Sequence, residues 1–142
     1  MRRLLIAACI AWLAAPVLHA AEPYTVIVNT GSKLARIPVD DLSRIYLGKK
    51  TLWEATGTRI VPALPDEDGA LGRAFLDSAL NKSVAQYRAY WKRQLFSGGG
   101  TAPKTFRSSE QVIEFVARQP GGIGIIETGA LDARAKAVEV TR

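Results

Sequence analysis

The chain carries a single cysteine, Cys9, and a single histidine, His19, among 142 residues. Both lie within the first 19 positions, so from Glu22 onward there is neither a thiol nor an imidazole. That absence excludes disulfides, Cys or His zinc sites and Ser/His or Cys/His nucleophilic pairs from the greater part of the chain. Basic residues are scattered, with no basic run interleaved with aromatics, so nucleic-acid binding has no support. Internal repeats and low-complexity linkers are also lacking.

The first residues set the compartment. Arg2 and Arg3 precede an uncharged apolar run from Leu4 to Leu18, followed by His19, Ala20 and Ala21, the layout of a secretory signal peptide with cleavage near Ala20 or Ala21. As a helix that run reaches only about 22 Å, against roughly 30 Å of hydrocarbon, so a stable membrane span is not expected. Ile6 to Cys9 has the look of a lipoprotein box, but the apolar stretch before Cys9 is too short for a signal helix. The expected organisation is a signal peptide over 1–21 and one domain over 22–142, which is enough for one core but not for two lobes of ordinary size. Removing Arg2 and Arg3 leaves 17 basic residues against 13 acidic, a net of +4. That balance is compatible with an anionic ligand or surface.

Tyr24 to Asn29 (YTVIVN) reads as a buried first strand. Val39, Leu42, Ile45 and Tyr46 recur at helical spacing, with Gly48 closing that helix and Lys49 and Lys50 beyond it. Thr58 to Ala63 (TRIVPA) reads as a second strand, where Pro62 implies an edge or an early end. Helices are expected from Ala70 to Leu80 and from Ser83, its N-cap, through Tyr87, Trp91 and Leu95 on one apolar face. Ser108 and Gln111 form a capping box for a helix carrying Val112, Ile113, Phe115 and Val116. Ile123 to Ile126 is a third strand and Ala137 to Val140 a weaker fourth. The alternation predicts a small mixed sheet flanked by helices, an α/β fold.

The ordered series LSRIYLGKKTLW, TRIVPALP, RAFLDSALN, YRAYW, FSGGGTAPK and FVARQPGGIGII resembles one lobe of the type 2 periplasmic solute-binding proteins, closest to the short phosphate-binding-protein-like branch. The resemblance covers most of the chain beyond residue 21. It implies a secreted oxyanion-binding component, phosphate-like in ligand, related to phosphate uptake by ABC transporters. It also implies a transporter or another periplasmic protein as partner. A ligand-free interaction or sensory module derived from that fold is the alternative. In the family the strand after the tryptophan meets a glycine- and hydroxyl-rich helix start, whose amides hold the oxyanion. Here that place is Pro65 to Arg73, PDEDGALGR. Gly69, Ala70, Leu71 and Gly72 supply amides but no hydroxyl, and Asp66, Glu67 and Asp68 add negative charge that Arg73 can offset in part. The three carboxylates complement the helix dipole, and Asp68 is the natural cap.

Two further loops are candidates for anion contacts. Thr30, Gly31 and Ser32 follow the first strand at its carboxyl end, where open α/β sheets place ligands. Ser97, Gly98, Gly99, Gly100 and Thr101, with Lys104 beyond, form a glycine run that lets amides approach a phosphate. The plainer reading of that run is a flexible connector. Tyr87, Tyr90 and Trp91 read more simply as core than as a stacking platform. No catalytic constellation emerges: Asp40 with Asp41 and the Asp66 to Asp68 cluster serve helix starts, and nothing fixes Ser97 against Lys104. The expectation is a binding protein without enzymatic activity, cofactor or metal.

Overall fold

The computed structural model describes residues 22–142. The expected signal segment, and the Ala20 or Ala21 cleavage with it, lies outside the described residues. Among the described residues the chain runs β1 (Tyr24–Asn29), β2 (Arg36–Pro38), α1 (Val39–Tyr46), β3 (Val61–Pro65), α2 (Ala70–Leu80), α3 (Val84–Phe96), β4 (Lys104–Phe106), α4 (Ser109–Arg118), β5 (Gly122–Glu127) and β6 (Ala135–Thr141). The strands form one six-stranded sheet in the order β2-β6-β1-β5-β3-β4. Every pairing is parallel except those of β1, which runs antiparallel to both β5 and β6. This is the mixed α/β architecture that the sequence pattern implies.

The sheet is buried on both faces, which is why its central strands are continuous apolar runs rather than alternating ones. Val26 and Val28 of β1 face a large core with Ile123, Ile125 and Leu64, covered by Leu42 and Tyr46 of α1, Phe75 and Leu76 of α2, and Tyr87 and Trp91 of α3. Ile27, between them, points to the other face and meets Ala63, Ile126 and the α4 residues Val112, Ile113 and Val116. Three helices thus cover one face and α4 the other. Phe75 sits edge-on to both Tyr24 and Tyr46, with ring centroids 5.3 and 4.8 Å apart. The buried Tyr46 hydroxyl donates to the Ala63 carbonyl at 2.8 Å, tying α1 to β3.

Several local expectations need correction. Pro62 does not mark an edge, because β3 lies between β5 and β4. Val61 donates its amide to Gly121 on the β5 side at 3.0 Å. Strand alternation turns position 62 the other way, where pairing with β4 begins only at Ala63, so the missing donor costs no ladder bond. The fourth strand is interior rather than weak, lying between β2 and β1. Leu95 leaves the apolar stripe: Tyr87 and Trp91 are buried, but Leu95 is 70% exposed and Phe96 83%, because the helix has run past its packing partners by its last turn. The Ser108 box is half formed. Ser108 Oγ accepts from the Gln111 amide, whereas Gln111 Oε1 accepts from Arg107 rather than from Ser108. A complete box sits instead at the start of α3, where Ser83 and Gln86 exchange both bonds.

Gly48 ends α1 as expected, and the reason is visible in its surroundings. Its φ of +71° is left-handed, and a Cβ there would stand 2.7 Å from the Trp91 ring. Gly57 shares the left-handed conformation with φ +67° but has open space around it. Gly57→Ala is therefore expected to cost about 1 kcal/mol, the backbone term alone. Gly48→Ala should cost about 2 to 3 kcal/mol, because the Trp91 ring must also move. Urea unfolding of both variants checks the difference; equal losses would remove the indole contact from the account.

Candidate functional site

The junction of β3 and α2 is where the resemblance places an oxyanion and where this sequence departs from it, and its helix start has no side-chain cap. β3 ends at Pro65, the chain turns through Asp66–Asp68, and α2 begins after Gly69, which is the N-cap and offers no side chain. Asp68 is not the cap that the sequence implies. Its amide instead donates to Asp66 Oδ1 at 3.1 Å, and the Gly69 amide donates to the Asp66 carbonyl at 3.0 Å. The loop folds so closely over the helix that a Cβ on Gly72 would lie 2.2 Å from the Asp66 carbonyl oxygen, so glycine is required there for the approach. The amides of Ala70, Leu71 and Gly72 have no acceptor among the described residues. Three donors at a dipole's positive end are the raw material of an anion site.

The acidic loop is held by a residue that sequence reasoning missed. Arg88, on α3, donates from Nε to Glu67 at 2.7 Å and from Nη2 to Asp68 at 2.9 Å. Its hydrogen bond holds the Asp68 carboxyl below the ordinary carboxylate range, and the two carboxylates raise the guanidinium in turn. Arg73, expected to offset the acidic cluster, contributes only a lesser Coulombic effect on Asp68. Its own side chain is on the α2–α3 groove, beside Asp77 and Asn81. Arg88 is 20 residues from Asp68, and no local spacing signals the pairing. Beside it, the buried hydroxyl of Tyr87 and the buried indole nitrogen of Trp91 have no hydrogen-bond partner among the described residues, and burial pushes the Tyr87 hydroxyl up.

The other candidate residues are elsewhere. β1 runs opposite to β3, so Thr30, Gly31 and Ser32, at its carboxyl end, lie at the end of the sheet where β3 and β5 begin, away from Gly69 and Ala70. Gly31 and Ser32 line a cleft of about 580 Å³, formed by residues within 29–38 and 50–58 together with Asp41 and Pro120. Ser97, Gly98 and Thr101 are exposed in the α3–β4 connection, outside both the junction and the cleft. Lys136 donates to the Ser32 carbonyl. Among the described residues no group of three His, Cys, Asp or Glu side chains is placed to hold a metal ion.

No family model matches the chain, and no curated protein matches it in sequence. Its fold matches a phosphate ABC transporter substrate-binding protein from Clostridium perfringens, solved with bound phosphate, at a TM-score of 0.67 and 17% identity over 83% of this chain and 44% of that one. PstS from Borrelia burgdorferi aligns at 0.64 and 20% identity, over 84% of this chain and 47% of the other. An ABC-type phosphate transport receptor from Vibrio cholerae aligns at 0.55 and 16% identity, over 83% and 46%. The chain therefore has a fold found in phosphate-transport binding proteins, and it spans less than half the length of each of these three.

Two outcomes follow for the junction. Since Asp68 does not cap α2, Asp68→Ala and Asp68→Asn should shift the urea midpoint alike, whereas Ser83→Ala, which removes a true cap, should cost about 1 kcal/mol. A folded carboxyl held low contributes stability above its unfolded value and loses it as pH falls through the folded one. The stability difference between the wild type and Arg88→Gln should therefore be present at neutral pH and fade below pH 3.8, the ordinary Asp value. An acid titration of both by circular dichroism checks this, and a difference that persists in acid would contradict it.

Proposed function

We propose that this chain is an exported, non-enzymatic solute-binding protein, a single α/β domain like one lobe of a solute-binding protein, and that it takes a small oxyanion such as phosphate at the start of α2. The observation that carries this reading is the row of unpartnered amides at Ala70, Leu71 and Gly72, at the carboxyl end of β3 in a fold shared with a protein solved with bound phosphate. Gly69 leaves the approach free of a side chain, and Arg88 neutralises part of the charge on Glu67 and Asp68 that would repel an anion. The basic pair and apolar run before Ala20 support export to the periplasm. Among the described residues no helix is long and apolar enough to cross a membrane. Its partners in this reading are the anion and a transporter or another periplasmic protein.

A second reading is favoured by the closed loop. The Asp66 carbonyl packs against Gly72 and the carboxylates engage Arg88, so the junction is self-satisfied on one side. In that reading the chain is a ligand-free interaction or sensory module.

Binding to the folded state alone raises apparent stability, so a thermal-shift titration with phosphate separates the two. The oxyanion reading expects stabilisation by millimolar phosphate. It also expects Glu67→Gln with Asp68→Asn to strengthen the affinity about tenfold, by removing two like charges and freeing Arg88. The gain should be larger at low ionic strength. No stabilisation of either protein would leave the interaction module.

A further inference from the structure

The cleft near Gly31 and Ser32 has a character quite unlike the α2 junction. Its volume of about 580 Å³ falls within the roughly 300 to 1,000 Å³ of small-molecule sites. Leu34, Ile37, Pro38, Trp53 and Pro120 give it mostly apolar walls. Trp53 is fixed in place, because its indole nitrogen donates to the Gly121 carbonyl at 3.1 Å. One face of a half-buried, immobilised indole is thus available at low cost in conformational entropy.

The charged groups on the lining are already engaged, with one exception. Lys50 donates to Asp41 at 2.7 Å and pairs with Glu54 at 3.2 Å, and those carboxylates raise its pKa. Arg36 pairs with Glu139 on the neighbouring strand. Ser32 Oγ accepts from the Leu34 amide, which occupies that hydroxyl as an acceptor. Lys33 lines the cleft with no hydrogen-bond or ion-pair partner among the described residues. A phosphate needs several convergent donors, and this cleft does not offer them. One unpaired ammonium among the lining residues of a cleft with apolar and aromatic walls suits a ligand with a single negative charge and an apolar body.

We propose that this cleft binds a small amphipathic monoanion, an aryl or alkyl carboxylate, with its apolar body against Trp53, Ile37 and Leu34 and its carboxylate at Lys33. The site is separate from the start of α2, and its occupancy does not depend on whether the junction holds an oxyanion.

The test is an NMR titration of the 15N-labelled protein with phenylacetate, its neutral isostere phenylacetamide, and phosphate. Phenylacetate should give saturable shifts at the Trp53 indole N–H and at amides of residues 29–38 and 50–58. The amide should bind about fivefold more weakly, the worth of one partly solvated charge pair. Lys33→Gln, a change at an exposed side chain, should reduce phenylacetate to the affinity of phenylacetamide while leaving the rest of the spectrum in place. The proposal is overturned if phenylacetate fails to saturate at millimolar concentration, if its shifts fall outside these segments, or if Lys33→Gln leaves the preference for the anion intact. It is equally overturned if phosphate displaces phenylacetate. Phosphate shifts confined to Ala70, Leu71 and Gly72 would bear only on the α2 site.

Discussion

The arrangement depends on one strand running against the others. β1 sits between β5 and β6 and pairs antiparallel with both, so Val26, Ile27 and Val28 are enclosed by strands on each side and by helices above and below. Each fully buried side chain of this size contributes roughly 1.5 to 3 kcal/mol, which makes the strand a main support of both cores. Its direction also divides the molecule. The carboxyl end of β1 is delivered to the end of the sheet where β3 and β5 start, so the loops after β1 and after β3 cannot converge on one ligand. Two separate surfaces result: an amide-lined helix start at one end and an apolar cleft opening near the other.

The start of α2 shows how the fold handles a helix terminus without a capping side chain. Gly69 cannot cap, and the loop before it turns inward on Asp66 rather than projecting a carboxylate onto the helix amides. The negative charge of Glu67 and Asp68 is directed sideways to Arg88, bridging the loop to α3. The Asp68 pair is exposed and the Arg88 side of both pairs is open to solvent, so their value lies in orienting the loop more than in stabilising the fold. The consequence is chemical: amides that the carboxylates might have satisfied are left without an acceptor among the described residues, the exposed one at Ala70 and the buried one at Gly72 alike.

Much of the fold was legible because burial leaves a periodic trace. The run YTVIVN coincides with β1, and ALGRAFLDSAL with α2. What escaped the sequence was set by long-range geometry. β2 and β4 are three residues each and carry no apolar alternation of their own, so only their neighbours define them. Leu95 keeps the helical period of Tyr87 and Trp91 but finds nothing to pack against, and period alone cannot report where a core ends. The site was half legible. Glycines 69 and 72 marked the helix start, while the Arg88 latch and the separation of Ser32 from Gly69 required the sheet order. Strand direction, in particular, leaves no mark on composition.

The central claim is that the first-turn amides of α2 lack an acceptor among the described residues, with Ala70 exposed, Leu71 half-buried and Gly72 buried beneath the Asp66 loop, and that an anion takes them. Amide–water exchange at Ala70, Leu71 and Gly72, measured by NMR with and without phosphate, tests it most directly. The account predicts fast exchange at the exposed Ala70 amide in the free protein and marked, saturable slowing there when phosphate is present, with phosphate-dependent shifts at Leu71 and Gly72. Exchange at Ala70 that is already slow without an anion, or that phosphate leaves unchanged, would contradict it.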